Sequence, residues 1–214
     1  MFVIAIDGPA ASGKSSVSRL LARKLGCRYV NSGAFYRAVT WAVLKEGIPL
    51  DDEAAISLFL TDLEIQCQVE DGQTVLLLNG ADPSLHLRDP AVNDSVSRVS
   101  SYPEVRRILT DLLRSLAADD NLVMEGRDIG SVVFPDTPYK FYVDASEEVR
   151  ATRRAAQGET DSIASRDAFD SSRKTAPLKI PGDAFVVDSS HLTLEGVVGE
   201  IIGRLRMKGM DAPF

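Results

Sequence analysis

The first apolar stretch of the chain runs from Met1 to Ile6, and a polar loop that contains glycine follows it. From residue 17 to residue 25 the apolar positions recur at intervals of three and four, and Gly26 ends this pattern. A short apolar run predicts a strand, and the later spacing predicts a helix. The N-terminus lacks a basic segment and a cleavage-site pattern, so we expect a first strand here rather than a signal peptide.

Short apolar runs and helical patterns continue to alternate along the rest of the chain. Strands are predicted at 29–30, 121–125, 140–144 and 183–188, and helices at 32–44, 51–60, 102–118, 146–156 and 193–207. Strands that alternate with helices in this way predict an α/β fold, with a parallel sheet flanked by helices on both faces. No apolar run reaches the length of about 18 residues that a membrane span needs, so we expect no membrane partner.

Two segments interrupt this alternation. Residues 63–69 alternate apolar and polar positions with period two, and a turn at Asp71-Gly72 and a second apolar run at 74–78 follow. This pattern predicts an antiparallel hairpin within an insertion at 63–101. The polar, charged segment 157–174 predicts a loop that belongs to a short lid at 151–174. The remaining segments, 1–62, 102–150 and 175–214, then form the core.

The composition is that of an ordinary globular protein, with 44% hydrophobic and 26% charged residues among 214. The net charge of −7 disfavours a nucleic-acid partner, because non-specific binding of nucleic acid requires a basic face. However, 17 of the 24 cationic side chains are arginines, and several cluster at 150–154 and 166–173. Guanidinium groups bind phosphate oxygens two at a time, so we expect small anionic ligands. Only two cysteines are present, Cys27 and Cys67, which is typical of a cytoplasmic protein.

The loop after the first predicted strand carries the clearest chemical motif. Residues 8–15 read Gly-Pro-Ala-Ala-Ser-Gly-Lys-Ser, which matches G-x-x-x-x-G-K-[ST] between a strand and a helix. In such a motif, phosphate is bound by the backbone N–H groups of the loop and by the helix N-terminus. We therefore expect Lys14 to reach the β- and γ-phosphates and the Ser15 hydroxyl to be a ligand for Mg²⁺. The predicted nucleotide-binding residues of this loop are Gly8, Pro9, Ala10, Ala11, Ser12, Gly13, Lys14, Ser15 and Ser16.

The motif alone does not distinguish a GTPase, an ATPase and a small-molecule kinase. No Asn-Lys-x-Asp segment for guanine recognition occurs late in the chain, and a motor ATPase requires a longer chain. Three segments indicate a second anion site: 31–37, 126–128 at the end of a predicted strand, and 166–173. In the last segment, Arg166, Asp170 and Arg173 are spaced so that they would share one face of a helix. These features favour a kinase. A kinase for adenylate, thymidylate or shikimate and a non-catalytic nucleotide-binding module remain alternatives.

The residues at these sites resemble the cytidylate kinase family, which has the nucleoside monophosphate kinase fold. The similar stretches are 6–37, 87–106, 125–136 and 166–188, and the segment Gly126–Asp136 is the most specific of them. The hairpin resembles the extra lobe of this family, so the resemblance implies that the insertion binds the nucleoside monophosphate. The sequence departs from the family at Asn31, where aspartate is usual, and in a shorter stretch between Arg154 and Arg166.

The resemblance implies a cytoplasmic, monomeric enzyme that uses ATP and Mg²⁺ to phosphorylate CMP or dCMP. Lys14, Arg127 and Arg173 are then the expected catalytic residues. By the same resemblance, the cytosine ring is surrounded by Ser32, Ser97, Arg106 and Asp128. The acceptor phosphate is held by Arg37, Arg127 and Arg173. The ribose is contacted by Arg166 and Asp170, and ATP is covered by the lid residues Arg153 and Arg154.

Overall fold

A computed structural model describes residues 1–156, 163–173 and 175–210, with the backbone alone at 163–166. Within these described ranges, seven strands form one sheet in the order β3-β4-β2-β5-β1-β6-β7. They are β1 (Val3–Asp7), β2 (Arg28–Asn31), β3 (Ile65–Glu70), β4 (Gln73–Leu78), β5 (Leu122–Gly126), β6 (Tyr139–Asp144) and β7 (Phe185–Asp188). The predicted α/β class with a mostly parallel sheet is confirmed.

Eight α-helices flank the sheet in the part of the chain that the structure describes. They are α1 (Lys14–Leu25), α2 (Ser32–Lys45), α3 (Glu53–Asp62), α4 (Pro90–Val99), α5 (Pro103–Ser115), α6 (Glu147–Ala156), α7 (Ile163–Ser172) and α8 (Leu194–Met207). Over the same residues, no helix combines the length and the apolar character that crossing a bilayer requires. Two of these α-helices were not predicted from the sequence pattern. They are α4 and α7, and α7 lies within the segment that was expected to be a loop.

The central strand β1 lies between β5 and β6 and runs parallel to both. All five of its residues are buried, as expected for a strand covered by helices on both faces. Ligands of parallel sheets bind beyond the carboxyl ends of the strands. At that edge β1 leads into the loop at residue 8, β2 ends at Asn31, and β5 ends at Gly126. The sheet therefore brings the separate motifs of the sequence to one edge.

The hairpin β3–β4 pairs antiparallel along its whole length, as the sequence predicts. Its turn residues Asp71 and Gly72 have φ of 48° and 72°, the positive values that a type I′ turn requires. Strand β4 joins β2 through the parallel pair Tyr29–Gln73, so the hairpin extends the main sheet. The boundaries of the core, the insertion and the lid stay predictions.

Helices cover the two faces of the sheet with two apolar clusters. Phe35 of α2 and Leu109 of α5 are among the fully buried side chains on one face. Leu21 of α1 and Ile201 of α8 are among those on the other. Complete burial of one such side chain stabilises a fold by about 1.5–3 kcal/mol. These contacts hold the helices that begin at the carboxyl edge of the sheet.

Side-chain caps begin four of the helices that the structure describes, α2, α3, α6 and α8. Asn31 Oδ1 accepts a hydrogen bond from Ala34 N at 3.2 Å at the start of α2. Asp52, one of the two aspartates predicted to cap α3, accepts from Ala55 N at 2.9 Å. Such caps satisfy N–H groups that have no partner within the helix, and each contributes about 1 kcal/mol. Asn31 therefore has a structural role at the position where the family usually has aspartate.

Candidate functional site

The loop between β1 and α1 has the conformation of a phosphate-binding loop. A Cβ atom at Gly8 would lie 2.1 Å from the carbonyl oxygen of Val143, so only glycine fits against strand β6. Gly13 has φ of 87° and precedes the first residue of α1, Lys14. The loop therefore ends at a helix N-terminus, where free N–H groups and the helix dipole attract anions.

Ser15 lies beside a buried carboxylate. Its Oγ donates a hydrogen bond to Glu125 Oε2 at 2.7 Å, and the hydroxyl of Tyr29 donates to Oε1 of the same carboxylate. Burial, followed by the charge of Glu125, raises the pKa of Tyr29, which keeps the phenol protonated as a donor. Glu125 was not among the predicted site residues. Its position at the end of β5, directly before Gly126-Arg127-Asp128, is the signal that could have identified it.

Lys14 has a buried side chain despite its charge. It is 8% exposed, and its Nζ donates a hydrogen bond to the carbonyl oxygen of Pro9 at 3.0 Å, across the loop. A lysine held over the loop in this way can contact a phosphate bound by the loop amides.

Arg106 and Asp128 form a buried ion pair at the opposite end of the site. Arg106 Nη2 contacts Asp128 Oδ2, and Arg106 Nη1 donates to the carbonyl oxygen of Ser100 at 3.0 Å. Burial raises the pKa of Asp128, although the charge of Arg106 acts in the opposite direction. The guanidinium carbon of Arg106 also lies 5.2 Å from the centre of the Tyr36 ring. The sequence predicted both charged residues for one pocket, and the structure brings them into contact.

Asp170 of α7 joins two of the predicted phosphate-binding arginines. Its Oδ2 accepts from Arg127 Nε at 2.9 Å, and its Oδ1 contacts Arg173 Nη2. Arg127 Nη1 also donates to the carbonyl oxygen of Gly8 at 3.0 Å, which connects this cluster to the phosphate-binding loop. Burial lowers the pKa of Arg173, while Asp170 opposes that change. Arg173 directly follows the last residue of α7, and the side chain of Arg166 lies outside the described residues.

Three further predicted residues of the acceptor site lie on α2 and α4. Ser32 Oγ donates to the carbonyl oxygen of Glu125 at 2.8 Å. Arg37 Nη1 donates to the carbonyl oxygen of Leu87 at 3.2 Å and contacts Asn93 Oδ1. Ser97 of α4 is half-buried at the cavity wall. These contacts attach α2 to both the end of β5 and the segment before α4.

Two arginines of α6, Arg150 and Arg153, contact the phosphate-binding loop. Arg153 Nη1 donates to Ser189 Oγ at 2.9 Å and to the carbonyl oxygen of Ser12 at 3.3 Å. Arg154 is buried and lines the cavity. Arg150, which the sequence placed in an arginine cluster without a role, donates to the carbonyl oxygen of Ala10 at 3.2 Å and contacts Asp167. The arrangement places three cationic side chains around the loop.

A continuous cavity of about 960 Å³ connects the two anion sites. Its volume is at the upper end of the range for small-molecule sites, which is about 300–1,000 Å³. The predicted site residues that line it are Ala10, Ala11, Gly13, Lys14, Ser15, Ser16, Ser32, Arg37, Ser97, Arg106, Arg127, Asp128, Arg153, Arg154, Asp170 and Arg173. Gly8, Pro9 and Ser12 belong to the same loop but lie outside the cavity lining. The cavity therefore extends from the phosphate-binding loop to the Arg106–Asp128 pair.

Comparisons with known proteins agree on one family. A family model described as cytidylate kinase matches residues 4–207. A relative from Nocardia farcinica named cytidylate kinase is 44% identical over 211 residues, which cover 93% of this chain and 91% of the relative. Another of the same name, from Caldanaerobacter subterraneus subsp. tengcongensis, is 44% identical over 95% of this chain and 94% of its own length.

The solved structures support the fold. A gluconokinase from Sinorhizobium meliloti superimposes with a TM-score of 0.52 at 17% identity, covering 97% of this chain and 93% of that protein. At this level of identity the similarity concerns the fold alone. A superposition over nearly the whole of both chains supports the α/β fold described above.

Proposed function

The chain belongs to the cytidylate kinase family, and from this membership we propose that it transfers the γ-phosphoryl group of ATP to CMP or dCMP. The products are ADP and CDP or dCDP. One observation carries the proposal: a single cavity has a phosphate-binding loop at one end and the buried Arg106–Asp128 pair at the other. The arginine cluster around Asp170 lies between them.

The reaction joins two ligands that carry the same charge. The acceptor phosphate of CMP has a second pKa near ~6, so it is largely dianionic at neutral pH and needs no general base. The protein therefore has to offset repulsion and align the reacting groups. We assign the acceptor phosphate to Arg37, Arg127 and Arg173, all of which line the cavity.

The donor side of the reaction falls to the phosphate-binding loop and α6. The loop amides and Lys14 hold the β- and γ-phosphates of ATP, as this motif does generally. Arg153 and Arg154 line the same part of the cavity and supply further positive charge. Fixed cationic groups of this kind stabilise the charge that moves onto the bridging oxygen of ADP as the bond breaks.

Base selection is assigned to Arg106 and Asp128. Cytosine presents an N4 amino donor beside the N3 and O2 acceptors. The Asp128 carboxylate can accept from N4, and the Arg106 guanidinium can donate to N3 and O2. Uracil has an O4 acceptor at the same place, and this atom would face the carboxylate, so the pocket disfavours it. Ser32 and Ser97 complete the base pocket, and Arg166 and Asp170 are assigned to the ribose.

Mg²⁺ fits the oxygen atoms around Ser15. Its hydroxyl is 2.7 Å from a carboxylate oxygen of Glu125, and both groups line the cavity. Magnesium bound to nucleotides uses few protein ligands, usually a hydroxyl or one or two carboxylates together with phosphates. When bound, the ion would neutralise phosphate charge, and Ser15 would be its protein ligand.

The test is an assay of ADP release with CMP, dCMP, UMP and AMP in parallel, each with and without Mg²⁺. We expect rapid turnover with CMP or dCMP, slower turnover with UMP and AMP, and no turnover without the metal. Preference for AMP would identify another kinase of this fold, and the same assay with thymidylate and with shikimate tests the other two alternatives. ATP binding without turnover on any acceptor would indicate a non-catalytic module. The proposal includes a cytoplasmic location and a monomeric state, and size-exclusion chromatography with light scattering tests the monomeric state.

A further inference from the structure

We infer that Asp7 is a positioning residue for the acceptor site, because its carboxylate fixes the turn that presents Arg127 and Asp128. The inference deepens the proposed function. Asp7 is the last residue of β1 and lies directly before the phosphate-binding loop, but none of the assignments above uses it.

The carboxylate of Asp7 binds two consecutive backbone amides. Its Oδ1 accepts from Ile129 N at 2.8 Å, and its Oδ2 accepts from Gly130 N at 2.8 Å. These residues begin the π-helical turn Ile129–Val133, which follows Asp128 directly. The first N–H groups of a helical turn have no partner within it, so the carboxylate satisfies both.

The geometry requires a carboxylate at this position. Each oxygen atom faces one N–H donor, whereas the side-chain amide of asparagine would accept at one atom and direct its own N–H group at the other donor. The turn also approaches closely, since a Cβ atom at Gly130 would lie 3.3 Å from Asp7 Oδ2. Asp7 and Gly130 therefore match each other in shape as well as in hydrogen bonding.

Asp7 connects the donor and acceptor halves of the site. It is paired with Gly126 across the β1–β5 ladder, and Arg127 Nη1 donates to the carbonyl oxygen of Gly8, the residue after Asp7. Arg127 and Asp128 thus lie between two attachments to the end of β1. If the contact with the turn is lost, the directions of both side chains are no longer fixed relative to the phosphate-binding loop.

Asp7 makes this contact in a buried environment that contains other charged groups. Asp7 is 1% exposed, and burial raises its pKa to about 7. The hydrogen bonds from Gly130 and Ile129 lower the pKa, as does Lys14 of α1, while Asp128 raises it. On the β6 side, the Lys140 side chain packs near the same turn. Burial raises the pKa of Tyr142, and the charge of Asp7 acts in the same direction. The groups that face the Asp7 carboxylate are therefore the two amide donors, the charges of Lys14 and Asp128, and the side chains of β6.

The test compares Asp7→Asn with Asp136→Asn, which removes the same charge from an exposed residue after the turn. We expect Asp7→Asn to raise the KM for CMP about tenfold or more and to reduce the preference for CMP over UMP. The KM for ATP should change less than about threefold, because the phosphate-binding loop keeps its own contacts. Asp136→Asn should leave all three quantities unchanged. Unchanged CMP and UMP parameters in folded Asp7→Asn would overturn the inference.

If Asp7→Asn does not fold, the wild-type protein provides the test by NMR. The amide protons of Ile129 and Gly130 should titrate with a midpoint close to the pKa of Asp7, and the Arg127 Nε–H resonance should follow with the same midpoint. An Arg127 resonance that does not follow those amides would overturn the inference. If the wild-type enzyme prefers an acceptor other than CMP, the proposed function is wrong, and the KM comparison is made with the preferred acceptor. Failure of the proposed function is thereby distinguished from failure of this inference.

Discussion

Asp167 Oδ1 accepts a hydrogen bond from the backbone N–H of Ala10 at 3.1 Å, so helix α7 contacts the phosphate-binding loop directly. The other carboxylate oxygen contacts Arg150 Nη1, which donates in turn to the carbonyl oxygen of Ala10 at 3.2 Å. Both backbone polar groups of Ala10 are therefore held by one ion pair. One turn further along α7, Asp170 holds Arg127. The helix thus links the loop assigned to ATP with the arginines assigned to the acceptor.

Replacing Asp167 by asparagine should weaken both halves of the reaction together. The substitution removes the charge from the hydrogen bonds with Ala10 and Arg150, and such bonds contribute roughly 1.5–3 kcal/mol. We expect kcat/KM for ATP and for CMP to fall about tenfold each in Asp167→Asn. Asp94→Asn, at an exposed position of α4, is the matched control. Steady-state kinetics with each substrate varied in turn checks this, and an effect on CMP alone would contradict the link.

Removing Arg173 should reduce catalysis far more than folding. Its guanidinium contacts Asp170 and donates to Ser100 Oγ at 3.1 Å, but Asp170 keeps its hydrogen bond with Arg127 when Arg173 is absent. We expect Arg173→Ala to lower kcat about 10²–10³-fold, as the loss of one charge-stabilising donor does in other enzymes.

The control for Arg173→Ala is Arg98→Ala on the exposed surface of α4, which should keep wild-type turnover. Turnover and thermal unfolding are measured on both purified variants. A similar loss of kcat is expected for Lys14→Ala. Wild-type turnover in either Arg173→Ala or Lys14→Ala would show that these cations do not act on the transferred group.

The elements that local patterns encode could be predicted from the sequence. The apolar run of β1, the motif at 8–15 and the alternation in β3 and β4 each depend on neighbouring residues, and all three match the structure. Helix α4 was not predicted although Val92, Val96 and Val99 recur at the helical spacing of four and three, because the whole of 63–101 was interpreted as an insertion around the hairpin. The helix at 163–172 was not predicted because it has few apolar residues and is held to the protein by carboxylates such as Asp170.

The contacts that organise the candidate site could not be predicted in the same way. Ser15 and Glu125 are 110 positions apart, and Asp7 and Ile129 are 122 apart. No local spacing relates such residues, since strand order alone brings them together. The sequence singled out arginines that line the cavity in the structure, but it could not show which carboxylates contact them.

Asp128→Asn should reduce discrimination between cytosine and uracil. Asparagine has the same shape, but its side-chain amide can donate to O4 of uracil where the carboxylate repels it. We expect the ratio of kcat/KM for CMP to that for UMP to fall at least about tenfold, with Asp136→Asn unchanged. Because Arg106 would lose a charged partner in a buried position, the variant should also be less stable, by up to about 3–5 kcal/mol. An unchanged CMP-to-UMP ratio in the folded variant would assign base selection to other residues.

The stability of the protein should depend on pH through Asp7. Burial raises the folded-state pKa of this group to about 7, above its ordinary value of 3.8, so the folded state binds the proton more tightly than the unfolded state. The resulting stabilisation is fully present below pH ~4 and is lost as the pH rises through ~7. Asparagine does not titrate, so Asp7→Asn lacks this dependence.

Urea unfolding of wild type and Asp7→Asn between pH 5 and pH 8 measures the effect directly. The free energy of unfolding of wild type minus that of the variant should fall by about 2–3 kcal/mol over this range, since each pH unit corresponds to about 1.4 kcal/mol. Burial raises the pKa of Asp128 in the same direction, but Asp128 is present in both proteins, and its contribution largely cancels in the difference. A difference that stays constant from pH 5 to pH 8 would mean that Asp7 is ionised throughout, with its charge fully compensated by the amides of Ile129 and Gly130.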